Sequence, residues 1–153
     1  MNYLAQSFPD YLKKLQRLHR GSVIFQIVFI FLMFLVPIGD ETIEGGILTY
    51  LLVTGIPFLI IRIMHRVQLR KAIEISNLSK RLNAYNGVFL SFVASCHGPA
   101  FFAFAFGMIT GDITLSVISV CILVYFITQK PSKETIIKDL KLTPQEAEEM
   151  EKL

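Results

Sequence analysis

The chain has 153 residues, of which 53% are hydrophobic and 18% are charged, and its mean hydropathy is +0.55. A water-soluble domain of this length is normally less apolar. The formal net charge is +3 at pH 7, and no nucleic-acid-binding motif accompanies the basic residues. The composition therefore excludes an ordinary soluble domain and gives no reason to expect a nucleic-acid partner.

An amphipathic helix is predicted over residues 1–20. Ser7, Pro9 and Asp10 are typical of a helix start. Apolar residues then recur at helical spacing among basic ones: Leu4, Phe8, Tyr11, Leu12, Leu15 and Leu18 beside Lys13, Lys14, Arg17 and Arg20. We expect this helix to lie along the inner leaflet with its cations towards anionic lipid. The alternative is a cytosolic extension of the first span that packs on the bundle.

Four stretches without Lys, Arg, Asp or Glu follow. Each is about long enough to cross a hydrocarbon core roughly 30 Å thick, which takes about 20 helical residues. With their helix ends included, the predicted spans are residues 21–38, 45–64, 86–109 and 112–128. Residues 21–128 are therefore predicted to form one four-helix transmembrane domain.

The charges between the spans predict the orientation. Residues 1–20 and 62–85 are rich in Lys and Arg, whereas the turns between spans carry acids: Asp40, Glu41, Glu44 and Asp112. Basic segments stay in the cytoplasm, so the acidic turns face outward. The fold class is an all-α membrane protein of two antiparallel hairpins with both termini in the cytoplasm. The short chain, without a signal peptide or organelle presequence, favours a bacterial inner membrane.

The tail, residues 129–153, is predicted to form two short cytosolic helices. Ser132 caps the first, and Thr143 to Glu146 is a capping box that opens the second. The apolar side of the first tail helix either folds onto the basic loop or meets another protein. Acidic residues of the second, Glu146 among them, could pair with the arginine-rich surface.

The middle of the third span offers a candidate functional or packing site. His97 would lie near the bilayer midplane, where ionisable groups are costly and usually face the bundle interior or water. Pro99 has no amide hydrogen to bond the Ser95 carbonyl, and Gly98 has no side chain to keep a neighbouring helix away. The helix could therefore bend there. The candidate set is Cys96, His97, Gly98 and Pro99 with Gln26 on the first span.

Packing is the alternative explanation of the same segment. Small residues recur at the spacing that close helix association in lipid requires: Gly87, Ser91, Ala94, Gly98, Ala103 and Gly107. A neutral His97 could then hydrogen-bond to Gln26 or Thr54 on neighbouring spans. Binding of a lipid or a cofactor is a third possibility.

The sequence gives little support for haem binding, zinc binding or nucleophilic catalysis. Bis-histidine haem ligation needs a second histidine at the depth of His97, but His19 and His65 are predicted near the cytoplasmic interface. A zinc site needs three or four ligands. Adjacent residues on a helix do not face one another, which argues against catalysis by Ser95, Cys96 and His97. We therefore expect neither an enzyme nor a bound cofactor or metal.

The layout resembles a family of small, uncharacterised bacterial four-span membrane proteins, through Lys130-Pro131-Ser132-Lys133-Glu134 and the following Ile136 to Leu140. This resemblance covers the last half of the chain and implies no particular activity. In architecture alone, the chain is also similar to the double-hairpin proteolipids of rotary ATPases. Those proteins carry a mid-membrane carboxylate, whereas every Asp and Glu here is in a turn, a loop or the tail.

Two functions are compatible with these features. The leading hypothesis is a non-enzymatic structural or accessory subunit that forms a homo-oligomer or part of a membrane complex, in a bilayer with anionic inner-leaflet lipids. It would associate through the third span and the tail. The alternative is a small transporter or proton-conducting protein in which His97 titrates and the outer acids form the mouth.

Overall fold

In the computed structural model, residues 7–33 and 47–153 are described, and 89% of them are helical, without β-strands. The all-helical prediction is confirmed. The elements are α1 (Phe8–Met33), α2 (Ile47–Tyr50), a π-helical turn (Leu51–Gly55), α3 (Ile56–Ile73), α4 (Leu78–Thr110), α5 (Ile113–Thr128), α6 (Lys133–Leu140) and α7 (Pro144–Lys152).

Two helical stretches are long and apolar enough to cross a membrane, Leu48–Ile73 and Leu78–Thr110. A third is added if α5 and α6, which meet at 95°, are counted as one broken span. Large apolar side chains on these helices are more than half exposed, among them Leu59 and Ile109. Such an apolar outer surface is typical of a protein in lipid. Residues 34–38 and 45–46 of the predicted spans lie outside the described residues.

Helix α1 is continuous through the amphipathic segment and the described part of the first predicted span. Phe8, Leu15 and His19 are buried, and α1 packs against α4, α5 and α7. The described part of residues 1–20 is thus not a separate helix. It extends the first predicted span and packs on the bundle, as the alternative interpretation proposed.

The stretch from α2 to α3 contains a π-helical turn immediately before Pro57. Proline has no amide hydrogen for the preceding turn, and a π-turn is one way for a helix to absorb such a break. The Thr54 hydroxyl donates to the Tyr50 carbonyl at 2.6 Å. This bond within the helix satisfies a hydroxyl that was a predicted partner for His97.

Helix α4 is the centre of the bundle and packs against α1, α3 and α5. The break before it falls at Asn77, whose side chain accepts the Lys80 amide at 3.0 Å. Gly111 ends α4 in the left-handed conformation (φ 70°), which glycine adopts without steric cost. Asp112 then caps α5, so α4 and α5, which pack against each other, are joined by a two-residue connection.

The tail helices fold back on the bundle. Ser132 caps α6, and the capping box of Thr143 and Glu146 opens α7, both as predicted. Ile136, Leu140 and Met150 are fully buried in one cluster with Leu15 and Phe126. The apolar side of α6 is therefore covered by this chain itself.

Candidate functional site

Polar side chains fasten the tail to the basic end of the bundle, where α1 and α4 begin. We call them the docking cluster: Tyr11, Arg81, Tyr85, Asp139 and Glu146. The Tyr85 hydroxyl donates to the Asp139 carboxylate at 2.7 Å, and the Tyr11 hydroxyl donates to the Leu82 carbonyl at 2.8 Å. Arg81 donates to the Ile75 carbonyl at 2.7 Å and pairs with Glu146 at 3.0 Å. Each member has a partner, so this cluster holds structure together.

Electrostatics in the docking cluster agree with this structural role. The pKa of the Glu146 carboxyl lies below its ordinary value, because the carboxylate accepts the Thr143 amide and is attracted to the positive charge of Arg81. Burial raises the pKa of Tyr11, so that phenol stays a neutral donor. The sequence suggested that tail acids could pair with arginines, and Glu146 does so. It placed Tyr11 on the apolar side of the first helix but did not predict its hydrogen bond, and it did not single out Tyr85.

The three histidines differ in how their ring nitrogens are satisfied. His19 is 3% exposed, its Nε2 lies 3.0 Å from the Phe126 carbonyl oxygen, and its ring stacks on that of Phe126. His65 Nδ1 lies 3.2 Å from the Val88 carbonyl oxygen. The Nε2 atom of His97 is buried without a hydrogen-bond partner in the described part of the chain, and its ring meets Phe126 edge-on.

Gln26 lies beside His97, as the sequence suggested. Its side chain is 3% exposed, and neither its amide nitrogen nor its amide oxygen has a hydrogen-bond partner among the described residues. Gln26, His97, Gly98 and Ser119 line one cavity of about 220 Å³ between α1, α4 and α5. We call it the polar cavity. The expected hydrogen bond from His97 to Gln26 or Thr54 is absent from the bonds of the described residues.

Unsatisfied polar atoms are expensive in an apolar interior, at about 1–3 kcal/mol each in proteins. A cavity of this volume has room for several water molecules, each of which takes about 30 Å³ in the liquid. Rings of Phe25, Phe29, Phe101 and Phe102 complete its wall. The polar cavity therefore has room for water or a small polar group beside Gln26 and His97, although the unpartnered atoms of these side chains are buried.

Cys96 and Pro99, which belong to the same candidate set, lie in the packed interior. Cys96 is fully buried in the core cluster, and its sulfur lies 3.8 Å from the Ser95 hydroxyl. Pro99 is buried, and α4 is assigned as one helix through it. Among the described residues, no group of three or more His, Cys, Asp or Glu side chains is placed to hold a metal ion.

The predicted small-residue set divides into two groups. A methyl group on Gly107 would lie 2.8 Å from the Asp112 carbonyl oxygen, and Ala103 is fully buried. Gly98 faces Ile61 of α3 at an ordinary contact distance. In contrast, Gly87 and Ala94 are exposed, and a methyl group on Gly87 would meet nothing within 4 Å. Ser91 is half-buried with an unpartnered hydroxyl in the described structure.

Of the predicted acidic outer face, only Asp112 falls within the described residues. Its carboxylate accepts the Thr114 amide and the Tyr50 hydroxyl, both at 2.9 Å. Asp112 therefore ties α2 to the start of α5. Asp40, Glu41 and Glu44 lie outside the described residues.

Comparisons of the chain with family models, curated proteins and solved structures gave no match. Function is therefore argued from the geometry alone.

Proposed function

We propose that this protein is a non-enzymatic accessory subunit that associates with a second copy or with other membrane helices through the outward side of α4. The observation that carries the proposal is the placement of Gly87 and Ala94. The central helix buries large side chains such as Phe89, Phe92 and Phe104. Gly87 and Ala94 are exposed on its surface, beside larger exposed side chains such as Leu90. In lipid, small residues on a helix surface allow the close approach on which helix association depends.

The tail has a supporting role in this proposal. Its apolar side is covered by the bundle, so the part of the tail left for a partner is the polar surface of α7, where Glu148 and Glu149 are exposed. We place the main contact on α4 for this reason.

A leucine at Gly87 tests the association. The Cβ atom meets no neighbour, and leucine favours helix more than glycine does, so the fold should be retained. We expect Gly87→Leu to separate a homo-oligomer into single chains, which single-molecule photobleaching in nanodiscs measures. We also expect it to lose any co-purifying partner in a pull-down in mild detergent. Gly21→Leu, on the surface of α1, is the matched control. Wild-type protein that is monomeric, with no co-purifying partner, would contradict the proposal.

The topology proposed with this function has four spans in two hairpins, both termini in the cytoplasm of a bacterial inner membrane. It is supported by the apolar outer surface and by the excess of basic residues where α3 ends and α4 begins. Single cysteines at Lys71, Thr114 and Lys152, in a Cys96→Ala/Cys121→Ser background, test it with a membrane-impermeant thiol reagent. We expect Thr114 to react from outside, and Lys71 and Lys152 only after the membrane is opened. Labelling of Lys71 from outside would overturn the topology.

The polar cavity favours a second candidate function, proton or small-solute conduction. Its support is the Gln26 amide and the His97 nitrogen, which line one cavity and have no hydrogen-bond partner among the residues that the structure describes. In liposomes, His97→Leu should abolish a pH-dependent flux while the protein stays assembled, and Cys121→Ala, on the exposed side of α5, is the control. Equal flux in wild type and His97→Leu would remove this candidate.

A further inference from the structure

We infer that the groove between α1 and α4 is a binding site for one anionic phospholipid. The groove has a volume of about 950 Å³. Lys14 and Arg17 of α1 lie at its basic end, with Asn83 and Asn86 of α4 opposite them. Gly87 and Ala94 do not line the groove, although they lie on the side of α4 that carries Asn83 and Leu90.

The polarity of the groove changes along its length. Beyond the two cations and two amides, the wall becomes apolar, with Leu18, Phe25, Leu90 and Val93, and it ends at His97. A molecule that matches this order has a negatively charged head and a hydrocarbon chain. The residues that line the groove include no acidic side chain. The neighbouring Asp10 is paired with Lys13 at 3.6 Å.

The length of the groove matches one leaflet of a bilayer. Asn86 and His97 are eleven residues apart on α4, which is about 16 Å of helix. Half of a hydrocarbon core roughly 30 Å thick is about 15 Å. A chain that enters beside Asn86 would therefore end near His97, and the head would lie between Lys14 and Arg17, where basic side chains attract anionic lipid.

Glycine at position 21 opens the middle of the groove. A Cβ atom there would have no neighbour within 4 Å, and Gly21 lines the groove opposite the α4 wall. A larger residue would occupy the volume that the hydrocarbon chain needs without a clash inside the protein. Gly21→Leu is thus a direct test of the site.

Native mass spectrometry of the full-length protein, released from micelles that contain phosphatidylglycerol or phosphatidylcholine with identical chains, measures the binding. We expect one tightly held phosphatidylglycerol and at least tenfold weaker retention of phosphatidylcholine, because each basic residue adds to the attraction. Lys14→Gln/Arg17→Gln should weaken phosphatidylglycerol binding by about tenfold or more. Arg70→Gln/Lys71→Gln, an exposed basic pair at the end of α3, should leave it unchanged.

The variants Gly21→Leu and Gly87→Leu distinguish lipid binding in the groove from the proposed association of chains. Gly21→Leu should remove the bound lipid and keep the oligomer, whereas Gly87→Leu should keep the lipid and lose the oligomer. Glycerol 3-phosphate, which has the charge but no chain, should not displace the lipid. Lipid retained by Gly21→Leu, equal retention of the two lipids, or equal losses in the two charge variants would each overturn the inference.

Discussion

The docking cluster and the polar cavity differ in whether their polar side chains have hydrogen-bond partners. In the docking cluster, Arg81 and Tyr85 each reach a carboxylate of the tail at 3.0 Å or less. In the polar cavity, Gln26 and His97 keep buried nitrogen and oxygen atoms without partners among the described residues. A fully bonded cluster contributes to stability, whereas unsatisfied buried groups lower it. The contrast indicates that the docking cluster stabilises the fold, whereas the buried polar groups of the polar cavity lower its stability.

The largest expected effect is on the apolar contact beneath the docking cluster. Ile136 is fully buried, so Ile136→Ala should destabilise the protein by about 2–5 kcal/mol through lost burial and the cavity left behind. Thermal unfolding in detergent, followed by circular dichroism, measures the change. Ile109→Ala is the control because that side chain is 75% exposed. Equal unfolding midpoints for the two variants would show that the tail does not stabilise the bundle.

A pair of substitutions tests the contrast between the two regions directly. Tyr85→Phe removes the donor to Asp139 and should cost about 1–2 kcal/mol. Gln26→Leu removes two unpartnered polar atoms and should leave stability unchanged or raise it by up to about 1 kcal/mol. The same unfolding assay compares the two variants.

An equal loss of stability in Tyr85→Phe and Gln26→Leu would contradict this contrast. It would mean that Gln26 has a structural partner. His97→Leu, on the α4 side of the polar cavity, is measured in the same unfolding assay and should behave like Gln26→Leu.

The smallest expected effect is a dependence on pH through Glu146. Its pKa is lower in the folded protein than its ordinary value, which is about 4.3 for glutamate. The stabilisation is therefore present above that ordinary value and is lost as pH falls through the lower folded pKa. The ion pair that Glu146 makes with Arg81 lies at the edge of the bundle, and surface pairs contribute about 0.2–1 kcal/mol.

We expect acidification from about pH 6 to about pH 3.5 to lower the unfolding midpoint more in wild type than in Glu146→Gln. Glu149→Gln, on the exposed side of α7, is the matched control and should behave like wild type. An identical pH response in wild type and Glu146→Gln would show that this carboxylate does not help to hold the tail.

Local signals explain the predictions that the structure confirmed. The helix caps at Ser132 and Thr143 depend on a side chain and an amide three residues away, so a short sequence window contains them. Gln26 was named as a possible hydrogen-bond partner of His97 on a neighbouring predicted span, and the two residues line one cavity without that bond. The sequence could not decide whether the apolar side of α6 packs on this chain or on another protein. An amphipathic helix has the same pattern in both cases.

The sequence by itself determined the helical class and the apolar, membrane-compatible character of the chain, together with the breaks between its later helices. Composition and short-range hydrogen bonding are sufficient for these features. Only the tertiary structure decided that Tyr85 is bonded to Asp139, that Gln26 and His97 have no protein partner among the described residues, and which small residues face outward. Those outcomes depend on the rotation and spacing of helices far apart in the chain, and helical periodicity does not specify which neighbour each face meets.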